Sequence, residues 1–261
     1  MKLPIYQVDA FAEKPFGGNP AAICPLDEWL SDEMMQSIAI ENNLSETAFL
    51  VGGEGAYDLR WFTPAHEVNL CGHATMATAH VVFNNLEPGS RDVRFSTRSG
   101  EFFVKQDGDK LFMSFPSIEN QPTVASEGLL DALGVQIEET MTSSQDLMTV
   151  VTHADGVINL DPDYDFIARN VRERGLIVTA PGDDCDFVSR FFAPQAGIKE
   201  DPVTGSAHCQ LVPYWSKRLG KTKLLARQVS ARGGTLYCEN ASDRVLLGGK
   251  TIPFLEGTIT I

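Results

Sequence analysis

Cysteine is scarce in this sequence, and what there is does not pair. Cys24, Cys71, Cys185, Cys209 and Cys238 are scattered, odd in number and include no CxxC motif. That argues against a disulfide framework and for free thiols in a cytoplasmic protein. Long apolar runs are missing too. No stretch approaches the ~18 residues of a membrane span, and the opening MKLPIYQVDAF alternates like a strand, without a signal-peptide core. Basic charge is in short supply, with 21 Lys and Arg against 35 Asp and Glu and a formal net charge of −14. Such a field repels phosphate backbones and anionic lipid. Neither nucleic acid nor membrane is therefore an expected partner, whereas a small anionic metabolite held by local donors is compatible with it. There is no GxGxxG or Walker loop, and Gly52-Gly53-Glu54-Gly55 reads as a turn. His73 and His80 lie two helical turns apart, too far to chelate an ion unaided, so no metal site is expected from them.

What is present is an internal repeat. Arg60 to Pro64, RWFTP, returns as RFFAP at Arg190 to Pro194; Gly72-His73-Ala74-Thr75 faces Gly205-Ser206-Ala207-His208; and the run from Ser96 matches the run from Ser230. Three blocks in the same order at nearly constant offset imply a duplicated unit. Each half reads as a β-rich opening and a helix, 32–42 and 164–174, then the R-aromatic-F-x-P strand. A Gly-initiated helix follows, 72–84 and 205–219, and then a closing hairpin. The first hairpin is expected to run 94–104, turn through 106–109 and return over 110–115. Pro213 should kink or shorten the second Gly-initiated helix. The Pro-, Ser- and Glu-containing stretch 116–127 suggests domains 1–118 and 119–250, with 251–261 returning to complete the first. The resulting class is α+β, each half a curled sheet around a central apolar helix, with a ligand cleft expected between the halves.

Both Gly-initiated helices would direct unpaired amide donors into that cleft, making a receptor for a carboxylate or enolate oxygen. Gly72 and Gly205 are either close-approach residues for this purpose or simple turn formers. His73, in the first turn of its helix, should stay neutral and able to accept a proton, because a helix N-terminus disfavours the imidazolium. His208 lies farther in and suits the core. Asp201 is either a turn former or a carboxylate that orients the acid/base and binds substrate. Ser206 is a plausible donor to a bound carboxylate, and the Gly17-Gly18-Asn19-Pro20 turn can bring the Asn19 amide into the same place. Glu46, between Ser45 and Thr47 and ahead of the apolar run AFLV, is awkward on a solvated face; burial near the cleft would suit it to shuttle a proton. Cys71 is either a buried thiol or a reactive one.

The segments VDAFAEKPFGGNPAAIC, NNLSETAFL, RWFTPAHEVNLCGHATMATAH and KEDPVTGSAHCQL together resemble the PhzF-like proteins, named for the isomerase of phenazine biosynthesis. The resemblance covers essentially the whole chain. It implies a diaminopimelate epimerase-like fold of two pseudo-symmetric domains, commonly as a homodimer, with no metal or organic cofactor. It also implies isomerisation of a small carboxylate-bearing substrate. On this resemblance Glu46 of NLSE moves the proton, and His73 and Asp201 assist or orient. Ser206 and Asn19 fall on the TGS serine and the GNP asparagine. The epimerases of this fold use paired cysteines, and here Cys71 in the first CG motif is answered by Thr204 before the second GS. Amino-acid epimerisation with Cys71 as one base, and a non-catalytic small-molecule-binding or scaffold role, are the alternatives.

Overall fold

The computed structural model describes residues 1–261. The chain separates into two compact units, Met1–Ser114 together with Gly248–Ile261, and Phe115–Leu247. No helix is long and apolar enough to cross a membrane.

The first unit contains β1 (Lys2–Ala10), β2 (Asn19–Leu26), α1 (Asp32–Asn42), β3 (Glu46–Gly53), β4 (Ala56–Phe62), the two-residue β5 (Glu67–Val68), α2 (Gly72–Val81), β6 (Asp92–Thr97), β7 (Gly100–Asp107) and β8 (Lys110–Pro116). The second contains β9 (Gln121–Pro122), α3 (Leu129–Leu133), β10 (Ile137–Thr142), β11 (Leu147–Val151), α4 (Ala154–Ile158), α5 (Tyr164–Asn170), β12 (Leu176–Pro181), β13 (Phe187–Ala193), β14 (Ile198–Asp201), α6 (Gly205–Leu219), β15 (Lys223–Gln228) and β16 (Gly234–Ala241). The chain leaves it through β17 (Arg244–Gly249) and ends in β18 (Thr251–Thr260), which lies antiparallel on β1 in the first unit.

Pairing is mainly antiparallel, and each unit breaks the pattern at corresponding places. In the first unit β2 runs parallel to β3 and β4 parallel to β6; in the second the parallel pairs are β11 with β12 and β13 with β15. A parallel neighbour needs a crossover, and helices supply it: α1 and α2 in one unit, α4 with α5 and α6 in the other. The duplication is thus one of connectivity as well as sequence.

The helices follow from their residues. Ser31 caps α1 by accepting from the Met34 amide, and Asp32 and Glu33 occupy its positive first turn. Met35, Ile38 and Ala39 form its buried stripe, packed with Phe49 and Phe62. Helix α2 is buried on nearly every side and packs on β1, β2 and β3. Its Ala-rich surface lets strands approach, and Thr75 and Thr78 satisfy their buried hydroxyls on the Cys71 and Ala74 carbonyls. In the second unit Leu129, Val157, Ile167, Leu176 and Phe192 form one core. Trp215 of α6 stacks on Phe187 at 5.7 Å and donates its indole N–H to Thr179.

The repeated R-x-F motif has one structural job in both units. Arg60 grips Glu67 with Nε and Nη2 at 2.7 and 2.8 Å and stacks over Phe62. Arg190 grips Glu200 at 2.6 and 2.9 Å and stacks over Phe192. Bidentate pairing plus an aromatic face is the geometry that arginine and not lysine provides.

Several expectations from the sequence need correction. The first hairpin is two turns, not one: residues 98–99 separate β6 from β7, with Gly100 at φ +106, before the chain turns again into β8. The helix expected over 164–174 stops at Asn170 because Val171 turns extended and buries its side chain in the core. That releases Arg174 for an ion pair. Helix α2 ends at Val81 and continues to Leu86 as a π turn. Pro213 does not shorten α6, which runs unbroken to Leu219. A proline leaves the carbonyl four residues earlier without its helical donor, and here the Ile118 amide donates to the Cys209 oxygen at 3.0 Å instead. Asn120 supports the next carbonyl, that of Gln210.

Candidate active site

In the first unit the start of β2, the start of β3 and the N-terminus of α2 bring four sequence candidates together. Glu46 is the first residue of β3, Cys71 is the N-cap of α2, His73 lies in its first turn, and Asn19 opens β2. Gly18 makes the placement of Asn19 possible: it sits at φ +68, and any Cβ there would run into the Ala10 carbonyl.

His73 is at the centre. Its Nε2 lies 3.0 Å from Glu46 Oε2. The ring N–H is not aimed at that oxygen, and Oε2 is buried without a hydrogen bond. Asn19 Nδ2 lies 3.2 Å from His73 Nδ1, and the Ser45 hydroxyl donates to Asn19 Oδ1 at 3.2 Å. Asn19 is itself fully buried and sits behind His73 as its holder. Cys71 Sγ approaches Nδ1 at 3.5 Å and Nε2 at 3.9 Å.

Two influences act on the His73 proton: the Asn19 amide lies against Nδ1 as a donor, which suits a neutral ring protonated on Nε2, and the neighbouring groups act the other way. Burial alone would push the imidazole down, but contact with Cys71 and with the Glu46 carboxylate holds it well above its ordinary value. Burial, and then the Glu46 charge, push the Cys71 thiol up to about 11. Cys71 is therefore a thiol at neutral pH, and Glu46 is the charged partner that His73 Nε2 faces at 3.0 Å. One ligand-capable atom from each of Glu46, Cys71 and His73 lies within 4.8 Å of the others.

Asp201, Gly205 and Ser206 build their own network in the second unit. Asp201 Oδ2 accepts from the Thr204 hydroxyl at 2.5 Å, while Gln228 bridges the Thr204 amide and the Asp201 carbonyl. Gly205 needs no left-handed backbone, and a Cβ there would meet only Leu247 at 4.0 Å, so a tight turn does not explain it. Ser206 Oγ accepts from Arg174 Nη1 at 2.9 Å, and Arg174 is clamped on the fully buried Asp146. His208 belongs to the core: burial pushes it down to about 4, and its Nδ1 donates to the Thr204 carbonyl. Neither α2 nor α6 has a side-chain hydrogen bond capping its first turn.

Arg174, Asp146 and Ser45 escaped the sequence reading. Ser45 sits in the motif that singled out Glu46 and could have been found there; Arg174 and Asp146 lie outside every repeated block and carry no local signal.

Residues 8–257 match the family model of phenazine biosynthesis-like proteins, PhzC-PhzF. An uncharacterized isomerase of Pseudomonas aeruginosa is 51% identical over 99% of both chains. A human phenazine biosynthesis-like domain-containing protein is 38% identical, with both chains fully covered. The crystal structure of a PhzF-family phenazine biosynthesis protein from Enterococcus faecalis superposes with a TM-score of 0.97 at 46% identity, again covering both chains completely. The duplicated α+β architecture is the one that these proteins share with the diaminopimelate epimerase-like class.

Proposed function

Because the chain belongs to the phenazine biosynthesis-like family, we propose that it is an isomerase that moves a proton and double bond on a small carboxylate-bearing substrate, using its own side chains and Glu46 as the acid/base. The observation that carries this reading is Glu46 Oε2, buried, without a hydrogen bond and 3.0 Å from His73. A buried carboxylate paired with a histidine is the kind of group that general acid–base catalysis uses. The Pseudomonas relative bears the description of an isomerase, which agrees with this chemistry.

In the proposed reaction Glu46 removes a proton from a carbon next to a carbonyl or conjugated system. The electron pair moves onto the conjugated system, and the resulting acid returns the proton at a second carbon. His73 orients the carboxylate from behind and is itself fixed by Asn19. The uncapped amides of α2 meet the developing negative charge. Asp201 and Ser206 are proposed to hold the substrate. Since Ser206 Oγ accepts from Arg174, its own proton is left to donate to a carboxylate. Racemisation through Cys71 is disfavoured because burial keeps that thiol near 11 and Thr204 stands where the second thiol would be.

The test is proton NMR in D₂O against a panel of small cyclic and amino carboxylates. Deuterium should enter one of them with the wild type and not with Glu46→Gln. Undiminished exchange by Glu46→Gln would refute the assignment, and binding without any exchange would favour a non-catalytic protein.

A further inference from the structure

The trio Glu46, Cys71 and His73 has a second chemical capacity that proton transfer does not use. We propose that Glu46 Oε2, Cys71 Sγ and His73 Nε2 form a three-ligand site for Zn²⁺, whose occupation takes Glu46 out of service. The ligand atoms are of the right kinds: a borderline-soft thiolate, an imidazole nitrogen and a carboxylate oxygen, a set that selects zinc over magnesium or calcium. They are also near the right separations. Nε2 lies 3.0 Å from Oε2 and 3.9 Å from Sγ, and all three fall within 4.8 Å of one another. Tetrahedral zinc with bonds of about 2.0–2.3 Å sets its ligand atoms ~3.3–3.8 Å apart and would hold a thiolate about 5 Å from Nδ1, so Sγ, now 3.5 Å from Nδ1, and the ring must shift by roughly 1.5 Å relative to each other to complete the face. The fourth position stays open, as in zinc sites that take water or a small molecule.

Two further observations favour an ion here. Glu46 Oε2 is buried, and its 3.0 Å contact with His73 Nε2 is one that both atoms would exchange for a bond to the ion. The outer partner of the histidine is already in place, because Asn19 lies against Nδ1 with Ser45 behind it. Coordination through Nε2 requires the ring proton on Nδ1, and a half-turn of the Asn19 amide presents Oδ1 to accept it. Ser45 can donate or accept, so it satisfies either orientation. Metal-bound histidines characteristically have such a second partner. In the balanced exchange Zn²⁺ displaces the Cys71 thiol proton to solvent, and the single His73 ring proton passes from Nε2 to Nδ1. The Glu46 carboxylate and Cys71 thiolate then offset its double charge, so the occupied cluster is neutral.

The test is titration of the full, metal-free chain with Co²⁺, read spectroscopically and without substrate, so it does not depend on the isomerase reading. One equivalent per chain should give a sulfur-to-cobalt charge-transfer band in the near ultraviolet and visible bands of a four-coordinate ion; added Zn²⁺ should erase both. Cys71→Ser should lose the charge-transfer band, and Glu46→Gln should keep it while binding more weakly. Asn19→Ala should weaken Zn²⁺ binding by about 10–100-fold, with circular dichroism reporting that each variant is folded. Absence of the band at saturating Co²⁺, or an equally strong band in Cys71→Ser, would overturn the proposal, the latter by placing the ion on another cysteine.

Discussion

Replacing Arg174 with methionine keeps most of the side chain's bulk and removes its charge. Asp146 is fully buried and receives the guanidinium through Nε and Nη2 at 2.9 and 2.5 Å, whereas Arg174 itself is 43% exposed. Deleting one partner of a buried pair costs about 3–5 kcal/mol, because the other charge is left uncompensated. The wet side of Arg174 puts this variant at the low end, about 3 kcal/mol, a fall in Tm of roughly 6–12 °C for a chain of this size. Asp146 is already held above the ordinary carboxylate value by burial, with Arg174 pulling it down; without Arg174 it should rise further. A carboxyl whose folded pKa is raised contributes stability that is fully present below its unfolded value of about 3.9 and lost as pH rises through its folded value. The variant's deficit should therefore be larger at about pH 8 than at about pH 5. Urea unfolding of the wild type, Arg174→Met and the apolar pair Asp146→Leu with Arg174→Met supplies the measurement. The double variant should recover most of the loss, since an apolar pair has no buried charge to compensate. A single variant within about 1 kcal/mol of the wild type at both pH values would refute the reasoning.

Nitrogen-detected NMR should find the His73 imidazole titrating above its ordinary value of about 6.5, and Glu46→Gln should bring it down, since burial then acts with less opposition. The stability due to this raised value is fully present below about pH 6.5 and is lost as pH rises through the folded value. Proton exchange with substrate should survive Cys71→Ala, because a thiol near 11 is not the base; complete loss in a folded variant would reinstate Cys71 as one. Gly18→Ala should cost about 1–3 kcal/mol in thermal or chemical unfolding, combining a left-handed backbone with a clash on the Ala10 carbonyl. Pro213→Ala should speed hydrogen exchange at the Ile118 amide, because a restored helical donor competes for the Cys209 carbonyl; unchanged protection would remove that bond from the account of α6.

Much of the protein was legible from the chain alone, for reasons of local chemistry. The repeated R-x-F motif, the two Gly-initiated helices and the alternation of the strands are properties of neighbouring residues, so the α+β class, the duplication and the helices at 32–42 and 205–219 could be read from them. Glu46 stood out for a similar reason, as a carboxylate leading into an apolar strand. The sequence could not decide which groups meet. That Asn19 lies behind His73, that Glu46 Oε2 has no hydrogen bond, and that Arg174 ties Ser206 to Asp146 depend on residues distant in the chain. The environment of His73 is of the same kind: the helix N-terminus is a local influence, and the carboxylate at 3.0 Å that acts against it comes from another element. Pro213 was misjudged because the donor that satisfies the Cys209 carbonyl arrives from Ile118, far away in sequence. Periodicity and capping are determined over a few residues and can be read there, but the contacts that set charge and hydrogen-bond satisfaction exist only after the chain has folded.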